Sequence, residues 1–289
     1  MSFKVVNRQI LSLDIKRIDI LAPGLARAIQ PGQFVIVTLN EHDHRKAFSV
    51  TEVEINRGSL ALIFQEEDLL TQAMGRLQID DEIHLMTGPY GKAVKIDKWG
   101  LVACIADDLG IVQALPVVRA LKQADNKVCT FMGAKTKAGL ILQSQMRVAS
   151  YKIFMATQDG SWERRGSPAD SFKDFLNKEK PAMVYAAGSV DLMQKISQLT
   201  AERGIKTFVQ LKPVMFDGVG LCGSCRVTVG GQVRLACVDG PVFNGHEVDF
   251  EDYRIRLNAY KELAWEKPVS QKRGGFKIFE KFPSGILKN

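Results

Sequence analysis

Over residues 1–97 hydrophobic and polar positions alternate with the two-residue period of half-buried strands, or fall in short β-branched runs. These runs are Phe3 to Ile20, Phe34 to Leu39, Phe48 to Ile55, Ser59 to Gln65 and Glu82 to Met86. Turn-forming residues separate them at Pro31-Gly32, Asn56-Arg57-Gly58 and Gln78-Ile79-Asp80. Five or six short strands with such turns predict a β-barrel. From Gly100 the period changes. Strand-like Leu101 to Ala106, Lys127 to Gly133, Lys152 to Thr157 and Ala182 to Ala187 alternate with helix-like Ile111 to Ala124, Leu140 to Met146, Phe172 to Lys178 and Leu192 to Arg203. That alternation predicts an α/β domain with a parallel sheet and right-handed crossovers over residues 98–209. After Thr207-Phe208-Val209 a cysteine-bearing module fills residues 210–250. A surface helix follows from Tyr253 to Glu266, and a tail punctuated by Gly274-Gly275 and Pro283 closes residues 251–289.

At 289 residues, two domains and a small module are the natural division. No run approaches the roughly 20 apolar residues needed to cross a bilayer. Charges scattered from Met1 to Ile20 leave no room for a secretory signal, so the sequence reads as cytoplasmic. The net charge of +7 is concentrated: Lys272, Arg273, Lys277, Lys281 and Lys288 against Glu280 supply +4 of it in the tail. Elsewhere basic residues are dispersed and no nucleic-acid motif occurs, which argues against a nucleic-acid-binding role. The tail also carries Phe276, Ile278, Phe279 and Phe282, which suits packing on a partner subunit; a disordered end is the alternative.

Five cysteines is an odd count, and three of them lie within sixteen residues, which favours metal binding over a disulfide framework. Cys104 and Cys129 sit in apolar strand-like runs and read as buried small side chains. Asp217, Cys222, Cys225 and Cys237 fall in the pattern D-x4-C-x2-C-x11-C. The plant-type [2Fe–2S] spacing differs only in having cysteine first. Gly218, Gly220 and Gly223 let the backbone fold tightly and turn its amides toward cluster sulfurs. A carboxylate oxygen is an acceptable ligand for ferric iron, so Asp217 either completes the set or caps the turn. Zinc is the other candidate, but His246 stands in unsuitable context.

Further motifs run in order along the chain: Pro31 to Val35 (PGQFV), Arg45 to Ser49 (RKAFS), Ile63 to Gln65 (IFQ), Gly88 to Lys92 (GPYGK), Gly133 to Lys137 (GAKTK), Gln158 to Ser161 (QDGS) and Met215 to Arg226. In this order they resemble the ferredoxin reductase superfamily. Within it, they resemble the electron-transfer subunit of dihydroorotate dehydrogenase and, more closely, the small subunit of the electron-bifurcating NADH-dependent ferredoxin:NADP oxidoreductase. In that bifurcating family an aspartate likewise stands before the glycines. The resemblance implies a β-barrel flavin domain, a nucleotide-binding-like α/β domain and a C-terminal [2Fe–2S] module. It implies FAD on the barrel, with Arg45 near the phosphates, Phe48, Ser49 and Val50 beside the ring system, and Ile63, Phe64, Gln65 and Thr71 in contact with the cofactor. Gly88, Tyr90, Gly91 and Lys92 join this set. A larger flavin and iron–sulfur subunit is the implied partner in a heteromeric complex. One departure is Glu66-Glu67-Asp68 before Thr71, where relatives have glycines near the diphosphate.

A second departure bears on the electron donor. Relatives carry a Gly-Gly-Gly-x-Gly turn that holds a nicotinamide dinucleotide, whereas this chain has Ala106-Asp107-Asp108-Leu109-Gly110. Asp108 is expected to cap the following helix in place of a phosphate. Lys135 and Lys137 suit a ribose phosphate or plain solvent, and Gly188 to Met193 resembles the turn beside the nicotinamide. Three functions follow: an oxidoreductase subunit passing electrons from NAD(P)H through FAD and [2Fe–2S], a relay that has lost nicotinamide binding, or, were the cysteines to hold zinc, a nucleic-acid-binding module, which would be colourless.

Overall fold

The computed structural model describes residues 3–41 and 44–259. The first domain comprises β1 (Phe3–Ile10), β2 (Ile15–Leu21), α1 (Pro23–Ala28), β3 (Phe34–Thr38), β4 (Lys46–Glu54), β5 (Ser59–Gln65), α2 (Leu69–Arg76), β6 (Glu82–Ile83) and β7 (Leu85–Tyr90). Its seven strands pair antiparallel in the order β6-β1-β2-β5-β4-β3-β7. Only His84 separates β6 from β7, so one stretch of chain borders both ends of the sheet and curls it into a barrel. The apolar run from Phe3 to Ile20 is a hairpin, not one strand. The amides of Leu11 and Ser12 donate to the Ile15 carbonyl (2.9 and 3.2 Å), and the Ser12 hydroxyl donates to Asp14 (3.2 Å). Leu13 stands at the tip, 94% exposed, and its apolar side chain hides the turn from the pattern.

Val5, Ile18, Val37, Phe48, Val50, Leu60, Leu62 and Phe64 fill the barrel. Ile63 points the other way, into the core of the second domain. That double burial makes β5 continuously apolar instead of alternating.

The second domain comprises β8 (Leu101–Asp107), α3 (Gly110–Gln123), β9 (Lys127–Ala134), α4 (Gln143–Ala149), β10 (Lys152–Thr157), β11 (Arg164–Arg165), α5 (Pro168–Leu176), β12 (Met183–Ala187), α6 (Val190–Ala201) and β13 (Lys206–Gln210). The chain continues through the hairpin β14 (Arg226–Val229) and β15 (Gln232–Leu235), then β16 (Val242–Asn244) and α7 (Phe250–Ala259). The sheet runs β11-β10-β9-β8-β12-β13-β16 and is parallel except at β16. Cores on both faces bury it, one around Phe131, Phe172 and Ile196 and the other around Ile111, Leu115 and Tyr185. Cys104 and Cys129 lie inside these cores, as their apolar neighbours in sequence require.

The cysteine-bearing stretch returns β16 to the sheet beside β13, and the Leu211 amide donates to the Pro241 carbonyl (2.9 Å). Both ends of the excursion are thereby fixed to the α/β domain. The predicted C-terminal helix is present as α7, docked through buried Phe250 and Tyr253. The expected tail on a partner lies outside the described residues. Among the described residues no helix is long and apolar enough to cross a membrane.

Candidate functional site

The hairpin register, from Arg226 opposite Leu235 to Val229 opposite Gln232, brings Cys225 and Cys237 together at its open end. Their sulfurs are 3.2 Å apart and both residues are buried. Burial and the adjacent Cys225 sulfur push the Cys237 thiol upward, so a metal binding there must displace protons. Cys222 sits on the exposed lip, its sulfur 3.1 Å from the Ser224 hydroxyl. Asp217 folds back on its own loop, accepting from the amides of Val219 (2.9 Å), Gly220 (3.1 Å) and Cys222. Burial alone would raise this carboxyl, but the three amides outweigh it and hold the group below the usual value. The loop thus aims several amides at one anionic point. Among the described residues no three His, Cys, Asp or Glu side chains converge into a ready cage. The donor set nevertheless fits an iron–sulfur cluster: three thiols that soft metal–sulfide chemistry favours, and beside them a carboxylate held in its charged form by three loop amides. His246 Nε2 lies 3.0 Å from the Thr200 hydroxyl oxygen, an engagement outside this loop.

The loop leans on the barrel. Gly218 is buried with φ +74°, and a Cβ there would lie 2.8 Å from the Tyr90 ring and 2.9 Å from Ile36. Tyr90 in turn packs against Phe34, ring centroids 5.9 Å apart. Phe34 and Ile36 share one hydrophobic cluster with Cys225 and Cys237.

Of the residues expected at the flavin, Arg45 is exposed just before β4 and Ser49 is half-buried on it. Phe48 and Val50 point into the barrel core, with Phe48 edge-on to Phe64 (5.9 Å). Gln65 donates to Asp14 (2.5 Å). Thr71 is buried and closes a capping box with Asp68 at the start of α2. Glu67 lies 2.8 Å from Lys46, which also pairs with Asp68, and Glu66 lies 3.5 Å from Lys16. A Cβ at Gly91 would meet Pro241 at 2.8 Å and Phe34 at 3.1 Å, and one at Gly88 would meet the Phe34 carbonyl at 3.1 Å. These glycines permit protein packing. Gly88 and Tyr90 remain half-buried and Lys92 exposed, its amide donating to the Gly240 carbonyl (2.6 Å).

Lys212 was not singled out by the pattern. Its amide donates to the buried Tyr253 hydroxyl (2.8 Å), and its ammonium lies within electrostatic reach of Glu67, Lys46 and Asp68. Burial lowers its pKa, although the side chain is open to solvent, which limits the effect. Its signal in the sequence is a lone cation between Leu211 and Pro213. Arg45 and Lys212 supply positive charge and Tyr90 a half-buried aromatic ring, residue types that suit a large anionic dinucleotide bearing a planar ring.

At the second departure, Asp108 does not cap α3. The cap position is Leu109, which offers no side-chain hydrogen bond, and Asp108 adopts φ +45°. Leu192 and Met193 are core residues.

Residues 212–249 match the iron-sulfur cluster binding domain of dihydroorotate dehydrogenase B. The chain is 32% identical over 259 residues to a homolog of the dihydroorotate dehydrogenase B (NAD(+)) electron transfer subunit from Thermotoga maritima, covering 90% of this chain and 92% of that protein. It is 31% identical to the electron transfer subunit from Desulforamulus reducens, covering 80% and 90% respectively. Its structure resembles that of an NADH-dependent reduced ferredoxin-NADP oxidoreductase, solved for insight into flavin-based electron bifurcation. That match has a TM-score of 0.85 at 29% identity and covers 91% of this chain and 95% of that one.

Proposed function

Because the chain belongs to the family of dihydroorotate dehydrogenase B electron transfer subunits, we propose that it is an electron-transfer subunit carrying FAD on its barrel and a [2Fe–2S] cluster in its C-terminal loop. The observation that carries this reading is the seat of the cluster loop on the barrel, Gly218 against Tyr90, which makes the two cofactor sites neighbours. Bound flavin would accept electrons in pairs and release them singly, and the cluster would relay them one at a time. Cys222, Cys225 and Cys237 would hold the iron, with Asp217 as the fourth ligand, its carboxylate oriented by the amides of Val219, Gly220 and Cys222. Arg45, exposed just before β4, would meet the flavin phosphates. Ser49 and Tyr90, both half-buried, would line the ring system, Gly88 and Gly91 allow the close strand packing that sets Tyr90 there, and Lys212 would offer a positive charge that favours electrons added to the ring.

Around the cluster loop Phe216, Val219, Leu221, Val233 and Val238 are exposed, Leu221 by 88%. Such a patch beside an electron exit suits a larger flavin and iron–sulfur subunit docking there. The protein then works in the cytoplasm as one part of a complex. Whether ferredoxin-type proteins or NAD(P)H supply its electrons is decided at the crevice between β8 and β12.

Replacing ligands tests this reading. Cys225→Ser is expected to abolish the cluster's electron paramagnetic resonance signal while flavin remains bound. Asp217→Cys is expected to keep the cluster but shift its potential and spectrum. An unchanged spectrum in Asp217→Cys removes Asp217 from the ligand set.

A further inference from the structure

In the order β10-β9-β8-β12-β13 the chain steps to one side of β8 and then to the other, so the switch point lies between β8 and β12. Open α/β sheets hold dinucleotides at such a crevice, where glycines let a pyrophosphate approach the backbone. In this chain the crevice is spanned from within. Asp107, at the end of β8, accepts from the Ser189 amide through Oδ1 and from the Ser189 hydroxyl through Oδ2, both at 2.6 Å. Ser189 is the N-cap of α6, so the Asp107 carboxylate is fastened to the residue that begins the helix across the crevice. A Cβ at Gly188 would come within 1.9 Å of Asp107 Oδ1, which shows how fully that oxygen fills the space.

The surviving glycine does not reopen it. A Cβ at Gly110 would lie 2.2 Å from the Ala187 carbonyl oxygen, so Gly110 serves the close approach of α3 to β12. Asp108 is exposed on the same turn. The two lysines suited to a ribose phosphate are also engaged: Lys135 offsets the Asp108 charge, and Lys137 Nζ stands 4.0 Å over the Trp162 ring.

We infer that Asp107 and Asp108 close this crevice to nicotinamide dinucleotides, so that NADH and NADPH pass no hydride to the flavin of this chain. The inference rests on reading the chain as a flavin and cluster carrier, and its electrons then come from a protein partner. Asp107 excludes by position in either protonation state. Burial raises its carboxyl, while two donors from Ser189 favour the charged form.

The test uses the full-length holoprotein, isolated anaerobically and titrated with NADH, NADPH and NAD(+) by equilibrium dialysis, with flavin absorbance followed in parallel. The wild type is expected to show no saturation up to about 1 mM of any nucleotide. Asp107→Gly, which clears the crevice, is expected to bind at least about ten-fold more tightly than wild type, and Asp107→Asn, which keeps the bulk, to gain less. If Asp107→Gly fails to fold, any measurable gain in Asp107→Asn supports the inference and none overturns it. Micromolar binding by the wild type overturns it, as does the absence of a gain in both variants. Flavin and iron contents of each preparation are measured separately. Their loss from the wild type contradicts the cofactor assignment, not the closed crevice.

Discussion

Gly218→Ala perturbs the contact through which the cluster loop meets the barrel. Two costs are separable there. An alanine held at φ +74° pays about 1–2 kcal/mol for the left-handed region. Its Cβ also falls 2.8 Å from Cγ and Cδ2 of Tyr90, ring atoms next to the backbone that cannot swing aside, which adds roughly 1–3 kcal/mol of overpacking. The sum is about 2–5 kcal/mol. Gly231→Ala supplies the control, because Gly231 has φ +71° and no neighbour within 4 Å of a built Cβ. It should cost only the backbone part, about 1–2 kcal/mol. With a urea dependence of roughly 2 kcal/mol per molar, the far-ultraviolet circular dichroism midpoint falls by about 1–2.5 M for Gly218→Ala and about 0.5–1 M for Gly231→Ala. Gly218→Ala is also expected to slow flavin-to-cluster electron transfer, measured by stopped-flow absorbance, whereas Gly231→Ala leaves that rate unchanged. Equal shifts in the two variants would refute the claim that the loop is seated on Tyr90.

Lys212→Met is expected to make flavin reduction harder, lowering the two-electron midpoint by about 30 mV in spectroelectrochemical titration, with solvent access limiting the size. Asp68→Asn tests an acid-side contribution to stability. Burial would raise the Asp68 carboxyl, but the Lys46 ammonium and the Thr71 amide hold it below the ordinary value of 3.8. Its contribution is therefore present above pH about 4 and fades as pH falls through the folded-state value, so stability–pH curves for wild type and Asp68→Asn should converge in acid. Curves that stay parallel into acid would contradict this. Leu221→Glu is expected to weaken capture of the larger subunit in pull-downs at least about ten-fold while flavin and iron contents stay normal; undiminished capture would move the docking surface elsewhere.

The three-part architecture is legible because the hydrophobic period changes from two to alternating strand and helix at Gly100, and three cysteines fall at cluster spacing. Other features are hidden for physical reasons. α2 is preceded by Glu66-Glu67-Asp68, acids that read as repelling a phosphate, yet Asp68 is its N-cap, Lys46 pairs with Glu67 and Asp68, and Glu66 lies beside Lys16. Phe48 and Phe64 belong to a flavin motif in sequence, but the strand pleat turns both side chains into the barrel. Asp108 looks like a cap from its position before a helix. The left-handed backbone there directs it away, and Asp107 instead accepts from Ser189, the N-cap of a helix more than eighty residues later, a long-range contact outside any local pattern. Lys212 acquires its setting from Tyr253, forty-one positions on.

The central claim is that one chain holds a flavin and a cluster in electronic contact. The most direct measurement is an anaerobic reductive titration of the purified holoprotein, read by visible absorbance and electron paramagnetic resonance. The account predicts uptake of three electrons per chain, two into the flavin and one into the cluster. A protein that takes up only two electrons, or one that is colourless and contains zinc in place of iron, would contradict it.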